Sequence, residues 1–354
     1  MTLLWIDGFD DYGVNGGNAG PIIGVSGYTE TGNAGFLGTL TNNTRSGVGL
    51  AMQLDNNSYG TSTAYLTRNF QTSAAIVVGM AVYITAGNYV ELFRLGYDNY
   101  IGGVSAQIVV YYNNADGITV LTGDNGELYT SGPNVLFQNV WQFVEVMYTP
   151  GLAGTLQVKI DGTIVINVAA VNTKAAALPP SINFLTFPAV SGGGWGLVDD
   201  LYISDQLGTS FNTFLGDVVV HGILPNADAG PNTMGQVGGS VGHFTSVDEQ
   251  LPDDDASYLF GSTSGLQEMF TLPAFPTDII DVLAVAVNVR ARKDTPGFAF
   301  LKASLAVAGV EEDGPVITLA QGYTMSQTMF ISPPGGGVWS TAAAQAANIG
   351  FKVP

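Results

Sequence analysis

Cysteine is absent from the 354 residues, which excludes disulfides and thiolate metal sites. Histidine occurs only at positions 221 and 243, too sparsely for a histidine-built metal centre. Charge is scarce and one-sided: 11% of residues are charged, with ten Lys+Arg against 29 Asp+Glu and a net charge of −19. Through Ser210 there are 5 basic and 15 acidic residues, and beyond it 5 and 14, so the acidity is spread along the chain and is not a tail. Such a surface repels phosphate backbones, which argues against nucleic acid as a partner. The longest apolar run, Ala74–Ile84, contains Gly79 and falls short of the ~20 residues a membrane-spanning helix needs. The opening Met1-Thr-Leu-Leu-Trp-Ile-Asp7 has neither a basic region nor a cleavage site, so a soluble chain made in a cytoplasm is expected, with no membrane partner.

Apolar residues make up 46% of the chain and the mean hydropathy is +0.26, which excludes disorder. Glycine is frequent, at 47 residues, but follows no collagen period. The length exceeds the roughly 250–300 residues at which a single core stops growing, so two domains are expected. Short Val/Ile/Tyr/Phe runs between Gly, Pro and Asn clusters read as strands joined by tight turns.

The strongest local signal lies between Val140 and Val168. Trp141, Phe143, Glu145 and Met147 alternate with Val144, Val146 and Tyr148. Asp161-Gly162 then separates Leu156–Ile160 from Thr163–Asn167, the mark of a hairpin with a type I′ turn, which needs two residues tolerant of positive φ. Further strands are expected at 49–54, 64–70, 75–84, 89–96, 107–112, 119–121, 127–130 and 196–203. The boundary is placed after Gly208, giving domains 1–208 and 209–354. In the second, Gly216–Ile223 reads as an opening strand. Strands follow at 282–292, 299–306, 316–319, 327–331 and 349–353, with a short helix over Ser340–Ala347 capped by Ser340. Both halves are therefore expected to be all-β.

Candidate chemistry is sparse. Gly238-Gly-Ser-Val-Gly242 matches G-x-S-x-G and is followed by His243, but an elbow needs a strand running into the serine and a helix leaving it. Read against Gln236-Val on one side and Phe244-Thr-Ser on the other, Ser240 falls in a glycine loop. Paired carboxylates suited to glycoside hydrolysis do not recur at i, i+2 or i, i+4; Glu145 reads as a lone acid on a solvated face. Asp55-Asn-Asn-Ser-Tyr-Gly60 resembles half a calcium loop but has Leu66 at its twelfth position. Asp253, Asp254 and Asp255 are weak calcium candidates, outweighed by solvated loop acids, and Asp10-Asp11 and Asp199-Asp200 suit turns or strand edges. Arg290, Arg292 and Lys293, three of ten basic residues, are candidate interface residues for an acidic patch on a neighbour, set against a charge-protected strand edge. No catalytic or cofactor-binding residue is assigned, and no cofactor is expected.

Two blocks carry a resemblance. Leu4-Trp-Ile-Asp-Gly-Phe-Asp-Asp-Tyr12 and the hairpin from Trp141 to Asn167 resemble concanavalin A-like (laminin-G-like) jelly rolls, and Trp195–Asp205 resembles their closing strand. Phe214–Asp228, Val247–Asp255, Val289–Lys293 and Trp339–Val353 resemble tailed-bacteriophage structural proteins that carry such a domain. The resemblance implies an N-terminal concanavalin A-like jelly-roll sandwich plus a second C-terminal β-sandwich or jelly-roll-like domain serving virion attachment or oligomerisation. It further implies a non-enzymatic virion protein assembled in the host cytoplasm. The expected role is a capsid decoration (cement) protein bound as homotrimers to the major capsid protein and other virion proteins. The alternative is a tail or head fibre protein with a lectin-like domain binding a surface glycan or receptor.

Overall fold

The computed structural model describes residues 3–12, 27–31, 39–47, 49–54, 64–86, 89–97, 105–113, 115, 117–122, 128–189, 195–277 and 279–354. The Asp55–Gly60 segment and the 124–127 turn lie outside them. The chain divides into two compact units between His221 and Gly222, later than the Gly208 boundary expected from composition.

In chain order the first unit comprises β1 (Leu3–Asp7), β2 (Tyr28–Thr31), β3 (Thr39–Thr41), β4 (Ala51–Leu54), β5 (Ala64–Ser73), β6 (Ile76–Ala86), β7 (Tyr89–Tyr97) and β8 (Ser105–Asn113). It continues with β9 (Gly117–Thr122), β10 (Leu128–Thr130), β11 (Trp141–Thr149), β12 (Gly154–Ile160), β13 (Thr163–Val171), β14 (Ile182–Ala189) and β15 (Trp195–Asp205). Two antiparallel sheets result. Sheet I runs β13-β12-β11-β6-β15-β4-β3 with β1 beside β15, and sheet II runs β10-β9-β8-β7-β14-β5-β2. Strands distant in sequence are neighbours in both sheets, the arrangement of a jelly-roll sandwich.

Strand alternation supplies the core. Val78, Met80, Val82, Val144, Val146 and Ile203 point inward from sheet I, and Leu66, Phe93, Leu95, Ile108, Val110 and Leu185 from sheet II; all are buried. The expected hairpin forms between β12 and β13. Asp161 and Gly162 have φ of 48° and 77°, as a type I′ turn requires. The Asp161 carboxylate also accepts the Phe143 N–H at 2.8 Å and the Gln142 amide at 2.9 Å, tying the turn to β11.

The Gly216–Ile223 segment is a correction: it is not a strand. Its amides are taken by side chains of sheet I, Val220 N–H by Asp200 at 2.8 Å and Gly216 N–H by Glu145 at 2.9 Å, so no ladder forms. Residues 206–221 therefore run as a strap on the first unit.

The second unit contains β16 (Ala227–Asn232), β17 (Gly235–Val237), a 3-10 turn (His243–Ser246), β18 (Tyr258–Phe260), β19 (Gln267–Thr271), β20 (Val285–Ala291) and β21 (Phe300–Val307). It ends with β22 (Val310–Asp313), β23 (Ile317–Thr318), β24 (Thr324–Phe330), helix α1 (Thr341–Gln345) and β25 (Asn348–Lys352). The main sheet runs β16-β19-β25-β21-β22, with β23 beside β21, and β20–β24 form a separate pair. Val287, Val289, Leu301, Ala303, Leu305, Phe330 and Trp339 build its core, and the Trp339 indole donates to Phe330 O at 2.9 Å. Ser340 caps α1 as expected, its hydroxyl accepting Ala343 N–H. Both units are β-rich, in agreement with the all-β sandwich expectation.

Candidate functional site

The outer faces of the two sheets differ. On sheet I, Glu145 is 1% exposed, not on a solvated face. The strap covers it, and its carboxylate accepts the Tyr202 hydroxyl at 2.5 Å as well as Gly216 N–H. Asp199 and Asp200 are buried on β15, away from the strand edge expected for them. Burial, then the neighbouring Asp200 and Asp10 charges, raises the Asp199 carboxyl; burial raises Asp200, with the Val220 amide and Arg45 opposing. Arg45 bridges to Asp200 at 3.6 Å and pairs with Asp217 of the strap. At the end of the sandwich, Asp7 accepts from Tyr12 OH at 2.8 Å, Tyr28 OH at 3.0 Å and Phe9 N–H at 2.9 Å. These groups are spent on holding the sheet, the strap and the N-terminal segment together.

On the outer face of sheet II the cross-strand register lines up Val109, Arg94, Thr186, Thr67 and Thr29, with Tyr111 and Glu91 in the next row. A β-bulge between Glu91 and Phe93 brings Glu91 and Arg94, three residues apart, onto the same face; in a regular strand they would point opposite ways. Arg94 grips Glu91 with two nitrogens, Nε and, at 2.8 Å, Nη2. Its guanidinium lies 4.6 Å from the Tyr65 ring centre. Burial, then the Glu91 charge and the hydrogen bond to it, raises the Tyr111 phenol, with Arg94 opposing. Burial works against the Arg94 charge, but the Glu91 hydrogen bond and charge outweigh it and hold Arg94 above its ordinary value.

Hydroxyls and amides surround this group. Thr67 and Thr186 share a hydrogen bond of 3.0 Å, Asn113 donates to Thr119 at 3.0 Å, and Thr119 meets Thr130 at 3.2 Å. Thr67, Thr186, Asn113, Thr119 and Glu91 are buried, so the face offers outward chiefly the half-buried Arg94, Tyr65 and Tyr111. Sequence reading missed Glu91, Arg94, Tyr65 and Tyr111, because a bulge breaks the two-residue period on which facing was judged.

The second unit brings two sequence-predicted sets together. Asp254 takes Arg290 in a two-pronged bond of 2.7 and 2.8 Å. Asp255 accepts from Arg292 at 2.8 Å and from Tyr323 OH at 3.0 Å. Asp253 accepts from Ser257 N–H and Oγ at 3.0 Å, and Lys293 bonds Gly297 O. The calcium candidates and the interface candidates are thus largely each other's partners. Among the described residues no three His, Asp or Glu are grouped to hold a metal ion.

Ser240 does lie between a short strand and a 3-10 turn, nearer the elbow context than its flanking sequence indicates. His243 Nδ1, however, is 2.8 Å from Glu268, which is fully buried, and Ser240 is held through its N–H by Thr245 Oγ1 at 2.9 Å. His221 ends the first unit outside any strand.

No family model and no curated protein matches the sequence. Solved structures do. An endo-β-1,4-glucuronan lyase from the fungus Trichoderma reesei is 12% identical, with 49% of this chain and 87% of that one covered and a TM-score of 0.37. The alginate lyase Aly36B is 14% identical over 58% of this chain and 96% of its own, with a TM-score of 0.37. A carbohydrate esterase from the Shiga toxin-encoding bacteriophage phi24B is 12% identical over 49% and 89%, with a TM-score of 0.35. At these identities and TM-scores the likenesses assign no role to this chain. The expectation of a non-enzymatic capsid decoration protein, or of a fibre lectin, is corrected here. The folds met are those of carbohydrate-active enzymes, and sheet II carries a cluster of ionisable side chains that the sequence pattern concealed.

Proposed function

We propose that the chain is a carbohydrate-processing enzyme whose working surface is the outer face of sheet II. The observation that carries this reading is the Glu91–Arg94–Tyr65–Tyr111 group, in which a guanidinium and two phenols are half-buried beside a buried carboxylate. Hydrolysis by a carboxylate pair needs two acids roughly 5–10 Å apart. Glu91 is the carboxylate this group contains, and it is committed to Arg94. Proton transfer by phenols beside a guanidinium suits elimination next to a sugar carboxylate.

In that reaction Arg94, through the nitrogen that Glu91 leaves over, pairs with the sugar carboxylate. This stabilises the negative charge that develops when the adjacent C–H loses its proton. The electron pair of that C–H forms a carbon–carbon double bond, and the bond to the neighbouring glycosidic oxygen breaks. The phenols carry the proton from carbon to the leaving oxygen, and Tyr111, which burial keeps protonated, is placed to donate. Water is not consumed.

The test is turnover of alginate and of glucuronan, read as the ultraviolet absorbance of the unsaturated product, in wild type, Tyr111→Phe and Arg94→Lys. General acid–base groups contribute about 10²–10⁴-fold, so Tyr111→Phe is expected to lose activity in that range. Arg94→Lys keeps the charge and loses the two-pronged geometry, so it is expected to fall with it. Equal rates in all three proteins would overturn the assignment.

A further inference from the structure

The second unit carries a histidine that elimination on sheet II does not use. His243 opens the 3-10 turn, which packs against β16, β17 and β18, and it is fixed at two points. Its N–H donates to Asp228 of β16 at 2.9 Å, and its Nδ1 lies 2.8 Å from the carboxylate of Glu268 on β19. Gly242, just before it, has φ 98°, and a Cβ there would stand 2.9 Å from the Phe244 ring and 3.1 Å from the Asp228 carboxylate. Only glycine lets the chain come this near. Glu268 is wholly enclosed, and its other oxygen accepts Met234 N–H at 2.6 Å. Enclosing a carboxylate is costly unless donors meet it, and here the imidazole is one of them. Because Glu268 accepts, Nδ1 carries the hydrogen and Nε2 keeps its lone pair. The His243 side chain is 24% exposed, and among the described residues Nε2 is neither hydrogen-bonded nor enclosed. An imidazole held in one orientation thus turns a free lone pair to solvent.

We propose that His243, positioned by Glu268, is the general base of a hydrolytic site in the second unit that acts on small acyl esters. Nε2 takes a proton from water as the water oxygen bonds to the acyl carbon. The ester C–O bond then breaks, and the same proton passes to the departing alkoxide. The products are a carboxylic acid and an alcohol. Glu268 acts through the ring alone: it holds the tautomer and faces the positive charge the ring gains. Val237 of β17, Phe260 of β18 and Val241 of the loop between β17 and the turn are exposed, an apolar surface for the acyl group or the leaving alcohol. Asp228 and Glu268 beside the ring repel a phosphoryl group, so an uncharged ester is the substrate class. Among the described residues no hydrogen bond joins the Ser240 hydroxyl to His243, so water and not Ser240 is the nucleophile. The site shares no residue with the sheet II group, and each reading can fail alone.

Steady-state hydrolysis of p-nitrophenyl acetate by the full chain tests it, with free imidazole at equal concentration as the reference. His221, the chain's other histidine, is the internal control. Wild type and His221→Ala should react at one rate, well above imidazole. His243→Ala should lose about 10²–10⁴-fold, and imidazole added to that variant should restore part of the rate, which the loss of a merely structural contact does not allow. Glu268→Gln keeps the shape of the side chain and should lower kcat while KM holds; circular dichroism confirms that it folds. Ser240→Ala should match wild type. Wild type no faster than imidazole, His243→Ala at the wild-type rate, or loss without rescue by imidazole overturns the proposal. A Ser240→Ala loss equal to that of His243→Ala overturns it as well, because the nucleophile would then be the serine.

Discussion

Asp199 and Asp200 are adjacent carboxylates buried on β15, and Asp10 adds a third charge felt by Asp199. Both are raised in the folded protein and ordinary when it unfolds, so the folded state binds the extra protons. The pair's contribution to stability is therefore most favourable at acidic pH, at and below the ordinary carboxylate range, and is lost as pH climbs through the raised values. Asp199→Asn removes one titrating group and keeps an oxygen for the Asp200 N–H that Asp199 accepts at 2.9 Å. It should raise the free energy of urea unfolding at pH 8 by about 1–3 kcal/mol and flatten the dependence between pH 5 and 9 relative to wild type. A variant that tracks wild type across that range would show the pair to be no burden. Tyr202 belongs to the same scale: its hydroxyl donates to buried Glu145 and accepts Leu215 N–H at 3.2 Å. Tyr202→Phe leaves Glu145 short of a donor and should cost about 1–3 kcal/mol by urea unfolding. A loss below a few tenths would mean that the strap is held elsewhere.

At the scale of elements, what reads directly from the chain is what repeats locally. The β12–β13 turn, the Val285–Ala291 strand and the Ser340 cap each rest on a few adjacent residues, and each was expected where it stands. The strap over sheet I was not, because its valines mimic a strand while its amides bond to Asp200 and Glu145, far away in sequence. The sheet II site was concealed for a related reason. Tyr65, Glu91, Arg94 and Tyr111 come from three strands, and only the bulge in β7 sets Glu91 beside Arg94. Deleting Leu92 would remove the bulge and leave Glu91 and Arg94 two residues apart, still on one face. That deletion should keep turnover and the circular dichroism of the sandwich, whereas Glu91→Ala should lose turnover; the reverse outcome would contradict the geometry argued for the site.

For the whole molecule, the net charge of −19 opposes the approach of an acidic polymer, and the favourable contact with Arg94 is local. Salt screens the long-range repulsion, with a Debye length of about 10 Å at 0.1 M, and weakens the short, partly buried contact less. KM for alginate is therefore expected to fall as ionic strength rises from low values, with kcat little changed. A KM that rises steadily with salt would place attraction, not repulsion, in control of encounter. The central claim is that sheet II carries out elimination on a carbohydrate, and mass spectrometry of the products tests it most directly. Wild type incubated with glucuronan or alginate should release unsaturated fragments, each one water lighter than the corresponding hydrolysis product, and Tyr111→Phe should release almost none. Intact polymer after incubation with wild type, or fragments carrying the added water, would contradict it.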